Sequence, residues 1–385
     1  MNFNALVIGC GLTGAVIARH LAEQGKRVEI WERRSHIAGN MYDEKDKNGI
    51  LIHRYGPHTF HTKEKALFTY IQQFEKWDEY RLTCMSYMAG KFTPSPFNFQ
   101  TVDDYFPGEK AAAIKEAIEK NYPDRETATV VELLEHRAPL IREYAEFLFE
   151  KDYKLYTAKQ WGLSPSEIDP SVLRRVPVRF SYQVGYFDDA YQVMPRHSYV
   201  RFFENLLNHP NISVRLNTEA LRRLSADPEQ ERILLDGSPL DIPVVYTGAA
   251  DELFGQCYGP LPYRSLRFEW KTLPQESFQE APVVAYPEAE GYTRITEYKK
   301  MPVQEAPGLT TIAVEYPLPY ACGGKAEPYY PILTQESRQR YESYRTLAAK
   351  IPSLTLCGRL ADFQYYNMDQ ALARALEVCR DLIFQ

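Results

Sequence analysis

The chain reads as an α/β protein in three parts: a βαβ-type nucleotide domain made of separated pieces, an inserted helical bundle and an antiparallel sheet domain. Three observations predict this. GCGLTG at 9–14 lies between a strand pattern and a helix pattern, the run from Val102 to about Leu163 is helix-rich, and Phe268 to Tyr320 holds several short β-type runs. At 385 residues the chain also exceeds what one hydrophobic core serves, so two or three subdomains are expected.

Asn4–Ile8 reads as a short buried strand, Ala15–Gln24 as a helix with Val16, Ile17, His20 and Leu21 on one face, and Arg27–Trp31 as a second strand. Lys65–Trp77 looks helical, and Tyr87–Phe99 looks like a strand or hairpin ending in the turn TPSPFN. Pro123 and Pro139 punctuate the helical run that follows. Val176–Phe187 alternates like a strand, Tyr199–Leu207 is helical, and ISVRLN and VVYTGAADELF return to strand and turn patterns. Ser337–Ala349 is helical, LTLCGRL a last buried strand and turn, and Met368–Ile383 a closing helix. Strand patterns at both ends of the chain imply a discontinuous domain whose pieces meet in space.

Composition narrows the function. Apolar residues at 44% and charged residues at 25% fit a globular protein, and a net charge of -6 gives no reason to expect nucleic acid or a membrane surface as partner. No stretch approaches the ~20 apolar residues of a membrane span. No basic leader precedes the first strand, so a cytoplasmic location is expected. The six cysteines are scattered without metal-ligand spacing, so no metal is expected and reduced thiols are. Twenty-eight tyrosines is a high count; Tyr offers a flat apolar face and a hydroxyl, which suits sugars and nucleotides and equally suits a core.

GCGLTG carries the chemistry. In the dinucleotide fingerprint Gly9 allows the tight turn, Gly11 lets backbone approach a pyrophosphate, and Gly14 lets helix and strand pack closely. The helix N-terminus receives the phosphates, and Glu32, ending the second strand, accepts from ribose hydroxyls. Arg33, Gly39 and Asn40 fit the continuation found in flavoproteins of the glutathione-reductase type, although Ala38 stands where glycine is usual. No second GxGxxG marks a nicotinamide domain, so FAD is expected.

Further motifs follow in order: YGPHTFHT at 55–62, YTAKQWG at 156–162, RRVPVRF at 174–180, YTRITE at 292–297, VEYPL at 314–318 and GRLADFQYYNM at 358–368. With these the chain resembles the bacterial UDP-galactopyranose mutases from its first strand to its last helix. The resemblance implies a discontinuous Rossmann-like FAD-binding domain (1–78, 199–250 and 335–385), a helical domain with a mobile substrate loop (100–172) and a twisted antiparallel β-sheet domain (79–99, 173–198 and 251–334). It implies an isomerase that interconverts pyranose and furanose forms of a nucleoside-diphosphate sugar, without net redox, through a covalent adduct between the sugar and N5 of reduced FAD. An external reductant and a homodimer are expected with it.

Residue by residue, the resemblance assigns catalysis to Arg175, Arg294, His58 and Tyr365, the two arginines clamping the diphosphate. Tyr156 would stack on the base, while Tyr186, Tyr316 and Tyr365 would donate to phosphates. Trp161 would move in with substrate, on a loop hinged at Gly162 and Ser164-Pro165. His58, with His61 nearby, would pass the flavin face. Thr13, Thr59, Gly248, Arg359, Asn367 and Met368 join the glycines, Glu32, Arg33, Gly39 and Asn40 around the cofactor.

Four positions depart from the family pattern. Asn367 replaces an Asp, about Ala285 an Asn, Arg81 an Asn facing the sugar, and Asp152 an aromatic near the base. These put the sugar and base in question, so a dTDP-6-deoxyhexose such as dTDP-fucopyranose is the alternative substrate. Two other classes share the cradle: a flavin oxidoreductase of the amine-oxidase type, which needs no diphosphate clamp, and a non-catalytic sugar-nucleotide sensor.

Overall fold

The structure, a computed structural model, describes residues 2–161, 177–322, 324 and 326–382. Its first layer is a five-stranded parallel sheet in the order Ile212–Arg215, Val28–Trp31, Ala5–Ile8, Val244–Tyr246, Leu354–Leu356. We label Ala5–Ile8 β1, Leu12–Glu23 α1 and Val28–Trp31 β2. Every residue of β1 and β2 is buried, as expected of strands covered on both faces. One face packs on α1, Tyr199–Leu207 and the closing helix Met368–Leu382. The other packs on Leu253, Phe254, Tyr344 and Phe363. The sheet draws strands from both ends of the chain, as the sequence implies.

A second, seven-stranded sheet runs Tyr330–Pro331, Tyr263–Leu273, Thr310–Pro319, Arg294–Glu297, Val283–Ala285, Cys84–Met88, Lys91–Ser95. It is antiparallel apart from one pair, Val283–Ala285 beside Cys84–Met88, which is parallel. The third part is a bundle of Phe99–Tyr105, Gly108–Asn121, Val130–Leu134, Pro139–Leu148 and Lys154–Trp161 around Val102, Ile114, Leu133, Ile141 and Leu148. A π-helical turn, Phe149–Tyr153, joins its last two helices. Such turns admit an extra residue and often sit at functional sites.

Three expectations are corrected. The helix from Lys65 stops at Gln72, and Trp77 begins a strand instead. Among the described residues of the stretch expected as a strand over Val176–Phe187, only Val178–Arg179 is strand, and it pairs with Thr127–Ala128 of the helical part. Tyr191–Pro195 pairs with Phe60–Thr62 and Trp77–Glu79, so this stretch lies outside the seven-stranded sheet to which 173–198 was expected to belong. In each case a partner distant in sequence, which local periodicity does not reveal, decides the outcome.

Candidate functional site

The end of β1 opens a first cavity. Gly9 adopts φ +99, and a Cβ there would sit 2.1 Å from Thr247 Oγ1. A Cβ on Gly14 would sit 2.1 Å from the Gly9 carbonyl oxygen, so close passage of helix over turn requires glycine. Gly11 differs: a Cβ there meets only Gly39 Cα, at 3.9 Å. Gly11 is also the N-cap of α1 and offers no side chain to the first amides, so the N–H groups of that turn are open to an anion. Glu32 closes the unit. Its carboxylate accepts from the Cys10 amide at 2.8 Å and the Arg34 amide at 2.9 Å, tying the glycine turn to the end of β2.

From this turn the cavity runs past Arg33, Arg34, Gly39, Asn40, Gly248 and Glu252 to His58, Arg359, Asn367 and Met368. Arg33 and Arg34 both pair with Glu327, and Arg34 also reaches Asn40 Oδ1 at 2.9 Å. Ala38 takes φ 75, so the alanine that stands in place of a glycine adopts a backbone that glycine favours. An uncapped helix N-terminus, a glycine cradle and a carboxylate at the next strand end fit a dinucleotide.

A second cavity adjoins the first and shares its wall of His58, Arg359, Asn367 and Met368. His58 is wired on three sides. Its amide donates to His53 Nδ1 at 3.0 Å, its carbonyl accepts from Tyr199 Oη at 3.0 Å, and its Nδ1 lies 2.7 Å from the Gly56 carbonyl. A carbonyl only accepts, so Nδ1 carries the proton and Nε2 is left as an acceptor. Burial, then the charges of Arg359 and Arg294, push this imidazole down to about 4. Arg359 is held by the carbonyls of Tyr366 at 2.5 Å and Tyr329 at 3.4 Å. Its guanidinium stands 5.6 Å from the ring centres of both Tyr330 and Tyr365, which stack on each other at 5.0 Å.

Arg294 lines the second cavity with Tyr156, Tyr186, Tyr330 and Tyr365. Burial would lower its pKa, but the Glu315 carboxylate beside it more than offsets this, so it stays cationic. Burial also raises Tyr156, so its hydroxyl is a donor at neutral pH. The helix that carries Tyr156 is pinned at its C-terminal end. Lys159 Nζ donates to the carbonyls of Tyr286, Ala289 and Tyr292, and Arg264 donates to those of Lys159 and Gln160.

The structure therefore gathers most of the residues expected at the site. Gly9, Gly11, Thr13, Gly14, Glu32, Arg33, Gly39, Asn40 and Gly248 line the first cavity. Thr59, expected beside the cofactor, lines the second. Arg175 and the loop after Trp161, with Gly162 and Ser164-Pro165, lie outside the described residues, as does the Trp161 side chain.

Two placements are corrected. Arg81 is an exposed side chain paired with Glu79 at 2.9 Å and lines neither cavity. Tyr316 follows Glu315, the cross-strand partner of Arg294, so alternation turns it to the opposite face of the sheet. There it packs with Ile295, Ile312 and Val314 and donates to Glu269 at 3.1 Å. Tyr330, absent from the expected set, stands in the cavity instead; the Tyr329-Tyr330 doublet was its only signal in the sequence.

The parallel sheet, glycine cradle and adjoining cationic, tyrosine-lined cavity define a dinucleotide-binding protein with a second site beside the far end of its cradle. A family profile described as UDP-galactopyranose mutase matches residues 151–365, and one described as NAD(P)-binding Rossmann-like domain matches 7–74. The chain belongs to the UDP-galactopyranose mutase family. It is 34% identical over 389 residues to the UDP-galactopyranose mutase of Mycoplasma pneumoniae, covering 99% of this chain and 96% of that one. It is 33% identical over 374 residues to the dTDP-fucopyranose mutase of Escherichia coli, covering 97% and 96%. Its fold is that of the crystal structure of reduced UDP-galactopyranose mutase, with a TM-score of 0.74 at 15% identity over 99% of this chain and 94% of that one.

Proposed function

We propose that this chain is a flavin-dependent isomerase that interconverts the pyranose and furanose forms of a nucleoside-diphosphate sugar, UDP-galactose or a dTDP-6-deoxyhexose. The observation that carries the reading is the shared wall: a cofactor lying along the first cavity ends where the cationic second cavity begins. Bound here in reduced form, FAD supplies an electron-rich ring nitrogen able to bond to an anomeric carbon without net redox.

The chain's own residues do the rest. The open amides of α1 and the Gly11 surface hold the cofactor's pyrophosphate, and Glu32 stands at the ribose end. Arg294 holds the diphosphate of the substrate as it leaves and returns, its guanidinium fixed beforehand by Glu315, so little reorganisation accompanies the charge that develops. Tyr156, Tyr186, Tyr330 and Tyr365 line the same cavity and supply hydroxyl donors and stacking faces. His58 keeps a neutral imidazole at the wall, with Nε2 as an acceptor for a sugar hydroxyl. Arg175 would complete the clamp.

The dTDP-sugar alternative is favoured by the Escherichia coli relative, which is nearly as similar as the UDP-sugar enzyme. The test is to incubate the dithionite-reduced protein with UDP- and dTDP-hexopyranoses and separate the products by chromatography. A furanose isomer from one series and not the other identifies the substrate. Bound nucleotide with no isomer would mean a sensor, and a reduced product formed as the flavin is reoxidised would mean an oxidoreductase.

A further inference from the structure

One row of residues runs along the seven-stranded sheet beside the second cavity, which Arg294 and Ala285 line. Arg294 is in register with Ala285, and Ala285 is in register with Ser86 on the next strand. Directly paired residues share a face, so Arg294, Ala285 and Ser86 point the same way. With adjacent strands ~4.8 Å apart, Arg294 and Ser86 stand about 10 Å apart. Between them Ala285 contributes only a methyl group. Ser86 then donates through Oγ to Asp152 Oδ2 at 2.6 Å, and Asp152 lines the same cavity.

The row is thus polar at both ends with opposite sign. A diphosphate gripped at Arg294 is repelled by a carboxylate, so the part of the ligand that reaches Asp152 is neutral and brings a donor. Oδ1 of Asp152 accepts no hydrogen bond from the described residues. Burial pushes the carboxyl up to about 6, while Ser86 and the Lys159 charge hold it down; in its ionised form it only accepts. Gln160 lines the cavity too, and its buried Oε1 has no partner among the described residues, so this oxygen is open to a ligand N–H. Asp152 sits in the π-helical turn, which fixes its backbone at a break between two helices.

We propose that Asp152, held by Ser86, is the base-reading residue of this chain: it accepts the ring N–H of a uracil or thymine whose diphosphate lies on Arg294 and whose ribose lies over Ala285. The assignment rests on the sugar-nucleotide reading given above. It makes the carboxylate, where relatives are expected to carry an aromatic, a specificity element rather than a lost contact.

The test is calorimetric titration of the full-length, cofactor-loaded protein with UDP, N3-methyl-UDP, dUDP and inorganic pyrophosphate, for wild type, Asp152→Ala and Ser86→Ala. Wild type should bind N3-methyl-UDP about ten-fold or more weakly than UDP, as expected when a hydrogen bond to a charged group is lost. Asp152→Ala should weaken UDP by a similar factor, abolish the penalty of N3-methylation and leave pyrophosphate unchanged. Ser86→Ala should reduce that penalty. Equal binding of UDP and N3-methyl-UDP by wild type overturns the proposal without need of any variant. So does a loss on going from UDP to dUDP with none on N-methylation, which would assign Asp152 to the ribose. If wild type binds none of UDP, dUDP and pyrophosphate, the sugar-nucleotide reading itself falls and takes this proposal with it.

Discussion

Arg294 donates through Nε to Glu315 Oε2 at 2.7 Å, across one rung of the antiparallel pair formed by Arg294–Glu297 and Thr310–Pro319. Glu315 is almost fully buried, and its Oε1 has no hydrogen-bond partner among the described residues. The carboxylate therefore depends on this arginine, and the arginine takes its orientation from the carboxylate. Glu315→Gln keeps the shape and removes the charge, weakening a charged hydrogen bond of about 1.5–3 kcal/mol. Isomerisation should slow about ten- to hundred-fold while cofactor absorbance per chain stays the same. Unchanged kinetics would mean that Arg294 needs no such support.

Replacing Arg294 by Lys keeps the charge and loses the planar fork. One ammonium cannot face Glu315 and grip phosphate oxygens in the same geometry. Turnover should fall by about a hundred-fold, the scale of ~2.7–4 kcal/mol for one preorganised donor, with the cofactor retained. Steady-state kinetics together with the cofactor spectrum check this. Loss of the cofactor would mean that Arg294 belongs to the first cavity.

Gly11 and Gly14 should fail differently. A Cβ on Gly11 meets nothing closer than 3.9 Å, and its φ of -79 suits alanine, so Gly11→Ala should fold. Its methyl would still occupy the surface that approaches the pyrophosphate, so the protein should be purified largely without cofactor. Gly14→Ala drives a methyl to 2.1 Å from a backbone oxygen and should lower thermal stability as well. Circular dichroism melts and cofactor content separate the two effects. A Gly11→Ala protein with full cofactor would remove the cradle from the account.

His58 should stay neutral well below the ordinary histidine range. Its pKa is pushed from 6.5 down to about 4, first by burial and then by Arg359 and Arg294. Between these values the unfolded chain holds a proton on this ring that the folded chain lacks. His58 thus makes stability fall as pH is lowered through that window. Imidazole ¹⁵N shifts should report protonated Nδ1 and unprotonated Nε2 at pH 5.5, and His58→Gln should flatten the acid limb of the stability curve. A ring that titrates near 6.5 contradicts the burial assigned to it.

The βαβ unit was legible because its signals are local. The glycine spacing and the acidic residue that follows the second strand lie within one short segment, and Gly14 has its steric reason in Gly9, five residues away. Helix Tyr199–Leu207 was likewise read to the residue from its spacing. The second cavity was legible only in part. Tyr316 and Tyr330 look alike in sequence, and which one faces the cavity depends on the register of Thr310–Pro319 against Arg294–Glu297. Arg81 misled for a related reason, since a side chain two residues from Glu79 on an exposed edge finds its partner locally. The row through Arg294, Ala285 and Ser86 joins two neighbouring strands to a third from far earlier in the chain, and no local pattern announces that last pairing.

The most direct measurement is the ratio of isomer formed to reductant consumed, with cofactor-loaded protein reduced once by dithionite under anaerobic conditions and then given excess sugar nucleotide. A non-oxidative isomerase should produce many furanose molecules for each reduced cofactor, with its spectrum still that of the reduced form at the end. Product that stops at one equivalent per cofactor, with the oxidised spectrum returning, would contradict the account.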